Sequence, residues 1–344
     1  MREVVLQLIL VSALWAGLVT SSRAQRTAPD FFADRSTVEF ILYTDLSVLL
    51  ADRSLDSPER PAEVGYWAPD RTPIWIPVEV KTRGLYRLRE EICDFPPLRL
   101  DFPARELRGT IFDGQNKLKL VTHCQTNAEF DQYVILEYLA YRVYEILAPK
   151  SLRARLAKVM YADVPEVHEP ITRYGVLIED VDDLAARHGM KEVELEGFHG
   201  LLADDFEMGV HDVFQYMIGN TDWSTILSHN VKFLQDPEGN ITVVPFDFDW
   251  AGAVAPPYAK PAPDVPTDDV RERFYMGVCR MTDHLTAVLQ HFVEHKDAIY
   301  ELYRNEAALG SEQRDRLLAY YDDFYETITD DRLAQQRIRD ACRL

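Results

Sequence analysis

Between His211 and Gly252 the chain reads HDVFQYMIGNTDWSTILSHNVKFLQDPEGNITVVPFDFDWAG, and the side chains in it best suited to chemistry are Asp222, Asn230, Asp247 and Asp249. Carboxylates and amides are the oxygen donors that magnesium accepts alongside phosphate oxygens and water. Phosphoryl transfer asks little covalent chemistry of a protein. It needs a carboxylate to orient the attacking hydroxyl, and ligands for the metal that sits on the phosphates. Asp222 suits the first task. Asn230 suits the second, together with Asp247 or Asp249.

Such residues need elements to hold them. Val213, Phe214, Met217 and Ile218 recur at helical spacing, so residues 212–219 read as the end of an amphipathic helix that Gly219-Asn220 stops. A polar loop carrying Asp222 and Asn230 follows. Residues 231–234 and 241–246 read as two strands joined by the turn Asp236-Pro237-Glu238-Gly239-Asn240, with Asp247-Phe248-Asp249 at the end of the second. This hairpin brings Asn230 and both aspartates to one end of a cleft.

Helix, acidic loop, hairpin and acidic strand end follow one another as in kinase-like phosphotransferases. The stretch resembles the CotH (spore coat protein H) kinase family, secreted atypical kinases distantly similar to HipA-type and protein kinases. Asn220-Thr221-Asp222, His229-Asn230-Val231-Lys232 and Val244-Pro245-Phe246-Asp247-Phe248-Asp249 carry the likeness. The last is similar to that family's Pro-Trp-Asp-Leu-Asp signature, with Phe246 in the tryptophan position. Upstream, Arg83-Gly84, Lys117-Leu118-Lys119-Leu120 and Tyr174-Gly175-Val176-Leu177-Ile178-Glu179 fall in the family's order, so the resemblance covers residues 78–252.

The resemblance implies an α+β, two-lobed atypical protein-kinase-like fold, with a small β-rich N-terminal lobe and a mainly helical C-terminal lobe. It implies ATP and Mg2+ (or Mn2+) as cofactors and transfer of the γ-phosphoryl group to a Ser or Thr hydroxyl of a protein outside the cytoplasm. Asp222 would be catalytic. Asn230 and Asp247 would ligate the metal, and Asp249 would be a second ligand or a structural partner. Arg83, in an Arg-Gly turn, would lie near the phosphates, where Arg87 and Arg89 offer further guanidinium forks. Lys119, on a strand with an apolar opposite face, would steady the phosphates while Glu137 from the next helix holds it. Lys117 and Arg99 compete for that role.

Asp222 and Asn230 are eight residues apart, farther than in a conventional kinase catalytic loop. The loop must therefore bulge, or His229 or Asn220 must share the work. With no Gly-x-Gly-x-x-Gly, the chain is not a conventional protein kinase. Two other classes fit the same residues: a non-catalytic pseudokinase-type binding protein of the envelope or surface, and a nucleotidyl (AMP) transferase.

The remaining sequence sets the frame. With 344 residues and 47% hydrophobic content the chain can bury a sizeable core. Its net charge of −20 argues against indiscriminate binding to nucleic acid or anionic lipid. Arg2, an uncharged run over residues 4–22 and Ser22-Arg23-Ala24 predict a signal peptide cleaved after Ala24, with an uncleaved membrane anchor as the competing reading. Export to the periplasm, cell surface or medium without stable membrane insertion follows from cleavage. It also suits the four cysteines, of which Cys93 and Cys124 are the favoured pair.

The N-terminal lobe is expected over residues 25–178, with strands at 38–43, 78–83, 97–102, 118–122, 152–162 and 174–178, a proline-broken loop at 56–73, and a helix at 129–148. The C-terminal lobe, 179–344, should open with a helix at Glu179. A polar connection over 191–199 follows, then a proline-rich lid or surface loop over 253–266. Helices at 282–303, 312–328 and 332–341 complete it. His291 and His295 share a helix face but lack a third metal ligand, and read as solvated or packed.

Overall fold

A computed structural model describes residues 30–103, 107–165, 167 and 169–343, so the expected signal peptide and cleavage after Ala24 lie outside the described residues. Seven strands make the first half: β1 (Val38–Thr44), β2 (Arg60–Trp67), β3 (Pro73–Thr82), β4 (Leu98–Asp101), β5 (Lys117–Val121), β6 (Ala154–Asp163) and β7 (Ile171–Ile178). They close into a barrel in the order β1-β2-β3-β4-β5-β7-β6, and β6 completes the ring by running parallel to β1 from Val38↔Ala157 to Thr44↔Asp163. Alternate residues point inward, as the two-residue period of a strand requires. Phe40, Leu42, Val64, Val80, Leu100, Leu118 and Val159 fill the interior. Phe112 stacks there against Phe102 and Phe31, at 5.0 and 5.3 Å between centroids.

Closure corrects the expectation of a loop over 56–73. Proline removes a ladder donor, but a strand tolerates it where no second neighbour needs that donor. Pro61 pairs across from Glu79, and Pro77 from Glu63. β1 reaches only residues 63–65 of β2, and β4 only residues 79–82 of β3. Both prolines therefore lie where their strand lacks a second partner.

Helix α1 (Leu46–Ala51) lies beside the barrel, and α2 (Phe130–Leu147) packs on β6 and β7. After β7, Asp180 caps α3 (Val181–Arg187) by accepting from the backbone N–H of Asp182. The buried Glu179 is held by both Arg153 and Arg187, at 2.8 and 3.0 Å. Residues 191–193, expected as part of a polar connection, instead form β8 (Lys191–Val193), which adds a third strand to the hairpin of β9 (Val231–Gln235) and β10 (Ile241–Pro245).

Helices α4 (Asp205–Ile218), α5 (Thr282–Asn305) and α6 (Ser311–Thr329) share one apolar core with α2. The expected last helix is split into α7 (Asp331–Ala334) and a π turn at Gln335–Arg339. His291 and His295 each meet a backbone carbonyl, of Leu147 and His291, at 2.9 and 2.8 Å. Cys93 bonds to Cys124, and Cys279 to Cys342. Among the described residues no helix is long and apolar enough to cross a membrane. The fold is mixed α and β, a closed barrel followed by a mainly helical half.

Candidate functional site

A cleft of about 270 Å³ is lined on one side by Arg83, Gly84, Tyr86 and Arg87 from the β3–β4 connection. On the other side stand Asp222, His229 and Asn230 from the α4–β9 loop, with Asp247, Asp249 and Trp250 beyond β10. Arg83, Asp222, Asn230, Asp247 and Asp249 thus share one space.

The α4–β9 loop starts where Gly219 ends α4 in the left-handed region, at φ 66°. Buried Asn220 accepts from the backbone N–H of Asp222 at 2.9 Å and donates to Gln215 at 3.0 Å, which fixes the loop's entry. Ser224 and His229 then exchange two backbone hydrogen bonds, 3.0 and 2.9 Å long, and fold the extra residues into a small hairpin. His229 returns so that its Nε2 lies 2.9 Å from Asp222 Oδ1. Asn230 donates through Nδ2 to the Asp222 carbonyl at 2.7 Å and to its Oδ2 at 3.0 Å. The length of the loop is therefore absorbed by a bulge, and His229 does share the Asp222 carboxylate. That hydrogen bond holds the imidazole proton above its usual range.

The hairpin register sets the second pair of residues. Val231 pairs with Pro245, and the Phe246 N–H donates to the Asn230 carbonyl at 3.1 Å, which draws Asp247 in beside Asn230. Both adopt left-handed backbone, at φ 52° and 62°. The Asp247 N–H donates to the Tyr141 hydroxyl of α2 at 2.9 Å.

One expected contact is corrected. Glu137 does not hold Lys119; its carboxylate faces Arg87, with Nη1 3.6 Å from Oε2. The same guanidinium places Nη2 2.8 Å from Asp247 and Nε 3.4 Å from Asp249. The reason is reach. Arg87 enters from a short turn, Tyr86–Leu88, directly over the carboxylates, whereas Lys119 sits on β5 with its Nζ 5.7 Å from the Phe246 ring centroid. Burial pushes the carboxyls of Glu137 and Asp249 well above the ordinary range, against the pull of Arg87. Burial pulls the Arg87 guanidinium down, but Asp249 and Asp247 more than restore it. Tyr258, from the segment over 253–266, donates to Asp249 at 3.0 Å. That segment also binds the Thr221 hydroxyl through the Ala262 N–H at 3.0 Å.

Arg83 and Lys119 are left over. Both are half-buried, and burial lowers both pKa values; the pull of Asp247 on Arg83 is partly opposed by Arg87, and the push of Arg83 on Lys119 is partly offset by Asp180. Among the described residues neither has an ion-pair partner. Their rivals differ: Arg99 is held by Glu59 and Asp101, Lys117 is exposed, and Arg89 lies over the Tyr86 ring at 5.2 Å. Sequence patterns alone missed the anchoring by Arg87, Tyr258 and Tyr141. Arg87 is legible as one of three closely spaced arginines, but nothing in that spacing tells which one turns inward.

Among the described residues no three His, Cys, Asp or Glu side chains converge closely enough to hold a metal by themselves. The Asn230 amide, pinned through its nitrogen, keeps its oxygen for another partner, and Arg87 engages one oxygen of Asp247. Two oxygen donors are what magnesium takes from a protein when phosphates and water complete its shell. The Asn230 and Asp247 oxygens would suit a cation whose remaining ligands are phosphate oxygens and water. No family model matches this chain, and no curated protein matches it at a significant level.

Proposed function

We infer that this protein is a kinase-like phosphotransferase that moves the γ-phosphoryl group of ATP to a serine or threonine hydroxyl of a protein acceptor outside the cytoplasm. One observation carries the reading. A chain of net charge −20 leaves two half-buried cations, Arg83 and Lys119, with no direct ion pair among the described residues, Arg83 facing a cleft whose far side holds Asp222, Asn230 and Asp247. Burying unpaired charge is costly, and a polyanionic ligand removes that cost. The element order supports the same reading: strand lysine, helix glutamate, helix, acidic loop, hairpin and aspartate follow the kinase-like succession. A barrel takes the place of the expected small sheet. The apolar run over residues 4–22 and two disulfides would suit an oxidising compartment.

In the transfer, the acceptor oxygen bonds to the γ-phosphorus as the bond to the β–γ bridging oxygen breaks. ADP leaves with that electron pair, and the acceptor proton passes to Asp222. Asn230 and Asp247 would hold magnesium, which when bound neutralises phosphate oxygens. Arg83 and Lys119 hold the phosphates in place, while His229 and Asn230 fix the Asp222 carboxylate.

Incubation with γ- and α-labelled ATP tests the assignment. Label should reach protein from the γ position only, and Asp222→Asn should lower the rate by about 100-fold or more with little change in Tm. Transfer from the α position would make the protein a nucleotidyl transferase. Transfer from neither position, with no thermal shift in Mg-ATP, would overturn nucleotide chemistry altogether. The Arg87–Asp247 contact favours one second reading, a non-catalytic binding protein, for which Mg-ATP would raise Tm and no label would move.

A further inference from the structure

Arg87 is 7% exposed and distributes its three nitrogens over three carboxylates from separate parts of the chain: Glu137 on α2, and Asp247 and Asp249 after β10. Glu137 is 2% exposed, and its Oε1 is buried with no hydrogen-bond partner. Without the guanidinium these acids would lose the ion-pair partner they share, and the buried ones would have to take up protons to stay there. Arg87 is itself held. The neighbouring Tyr86 ring packs edge-on to Trp250 at 4.9 Å, and the far end of its segment is tied by Cys93–Cys124. A metal ion approaching Asp247 alone therefore meets a fixed positive charge 2.8 Å from one of that residue's oxygens.

We propose that Arg87 is a positioning residue of this cleft. It takes the helix glutamate that a strand lysine would otherwise hold, and it stands as counter-cation between Asp247 and Asp249, so that a metal enters only with a phosphate-bearing ligand. For the identity of that ligand the assignment rests on the phosphotransferase reading. Lys119, released from Glu137, is left with Arg83 to meet the anion. A ligand that adds negative charge at those two residues offsets the repulsion that the cation would otherwise meet.

Mn2+ binding, followed by electron paramagnetic resonance on the full chain, reads this directly. Wild type should bind Mn2+ alone at least about tenfold more weakly than with a non-hydrolysable ATP analogue, about 1.4 kcal/mol. Arg87→Met should bind Mn2+ alone at least about tenfold more tightly than wild type, because the acids lose their internal partner. Adding Asp247→Asn to that variant should remove the gain. Wild type binding Mn2+ equally well with and without an analogue that itself binds the protein would overturn the proposal. So would a folded Arg87→Met with unchanged affinity, or a gain that survives Asp247→Asn. Should Arg87→Met not fold, Arg87→Lys serves instead: a point charge that cannot span three carboxylates should give a smaller gain, and no gain overturns the idea. Failure of any analogue to bind would sink the phosphotransferase reading, while the metal-only comparison would still decide the role of Arg87.

Discussion

Lys119 and Glu137 occupy the strand and helix that the sequence assigns them, yet they do not meet. Alternation along β5 tells which residues face inward; it does not tell which of several cations reaches a given carboxylate. That choice depends on the path of the β3–β4 connection, which has no periodicity to read. An unpaired half-buried lysine contributes little to stability, so Lys119→Met should hold or raise Tm while weakening Mg-ATP binding by about tenfold in calorimetry. A loss of Tm with unchanged binding would make the lysine structural. His123 offers a test of the barrel at the same scale. It is 1% exposed against Phe95 and Tyr161, and burial, helped by Arg173, lowers its pKa to about 3. The unfolded chain binds a proton near the ordinary value of about 6.5, so between roughly 6.5 and 3 it holds more protons than the native state. The neutral ring costs nothing above that window, and stability falls as pH drops through it, by up to about 1.4 kcal/mol per unit. His123→Phe should flatten the difference in urea midpoints between pH 7 and pH 4; equal slopes in both proteins would refute the cause.

Elements fix what single residues cannot. The turn carrying Arg87 is anchored by Cys93–Cys124, which closes a loop of 31 residues, whereas Cys279–Cys342 ties the last residues of the chain beside residue 278 through a loop of 63. Opening either should cost about 3–4 kcal/mol by loop entropy. Only Cys93→Ser with Cys124→Ser should also weaken anion binding, since only that bond restrains the wall of the cleft. Equal ligand affinity in both double variants would separate the turn from the site. At the entrance to the α4–β9 loop, Gly219→Ala meets two obstacles. Its φ is left-handed, and a Cβ there would run into the Tyr320 hydroxyl, so a loss of about 1–3 kcal/mol in denaturant unfolding is expected. The helix stop at Gly219 and the hairpin after it are legible because each carries its own chemistry, glycine in one and a Pro-Glu-Gly-Asn turn in the other. The small hairpin at 224–229 is not, since Ser224 and His229 meet through backbone alone. The prolines of β2 mislead for a related reason: their effect depends on how far neighbouring strands extend.

Across the whole molecule, local signals located most strands and nearly every long helix, because amphipathic periods report which face is buried. Closure of the sheet was not legible. It depends on β1 meeting β6 across 119 residues, from Val38 to Ala157, and no local pattern encodes that meeting. The site draws on the same long-range order, since Arg87 and Asp247 are 160 residues apart. A ribosome delivers β1 early and its parallel neighbour only much later. Until Asp163 has emerged, the first strand waits with one edge unclaimed, and the ring stays open for the time it takes to make over a third of the protein.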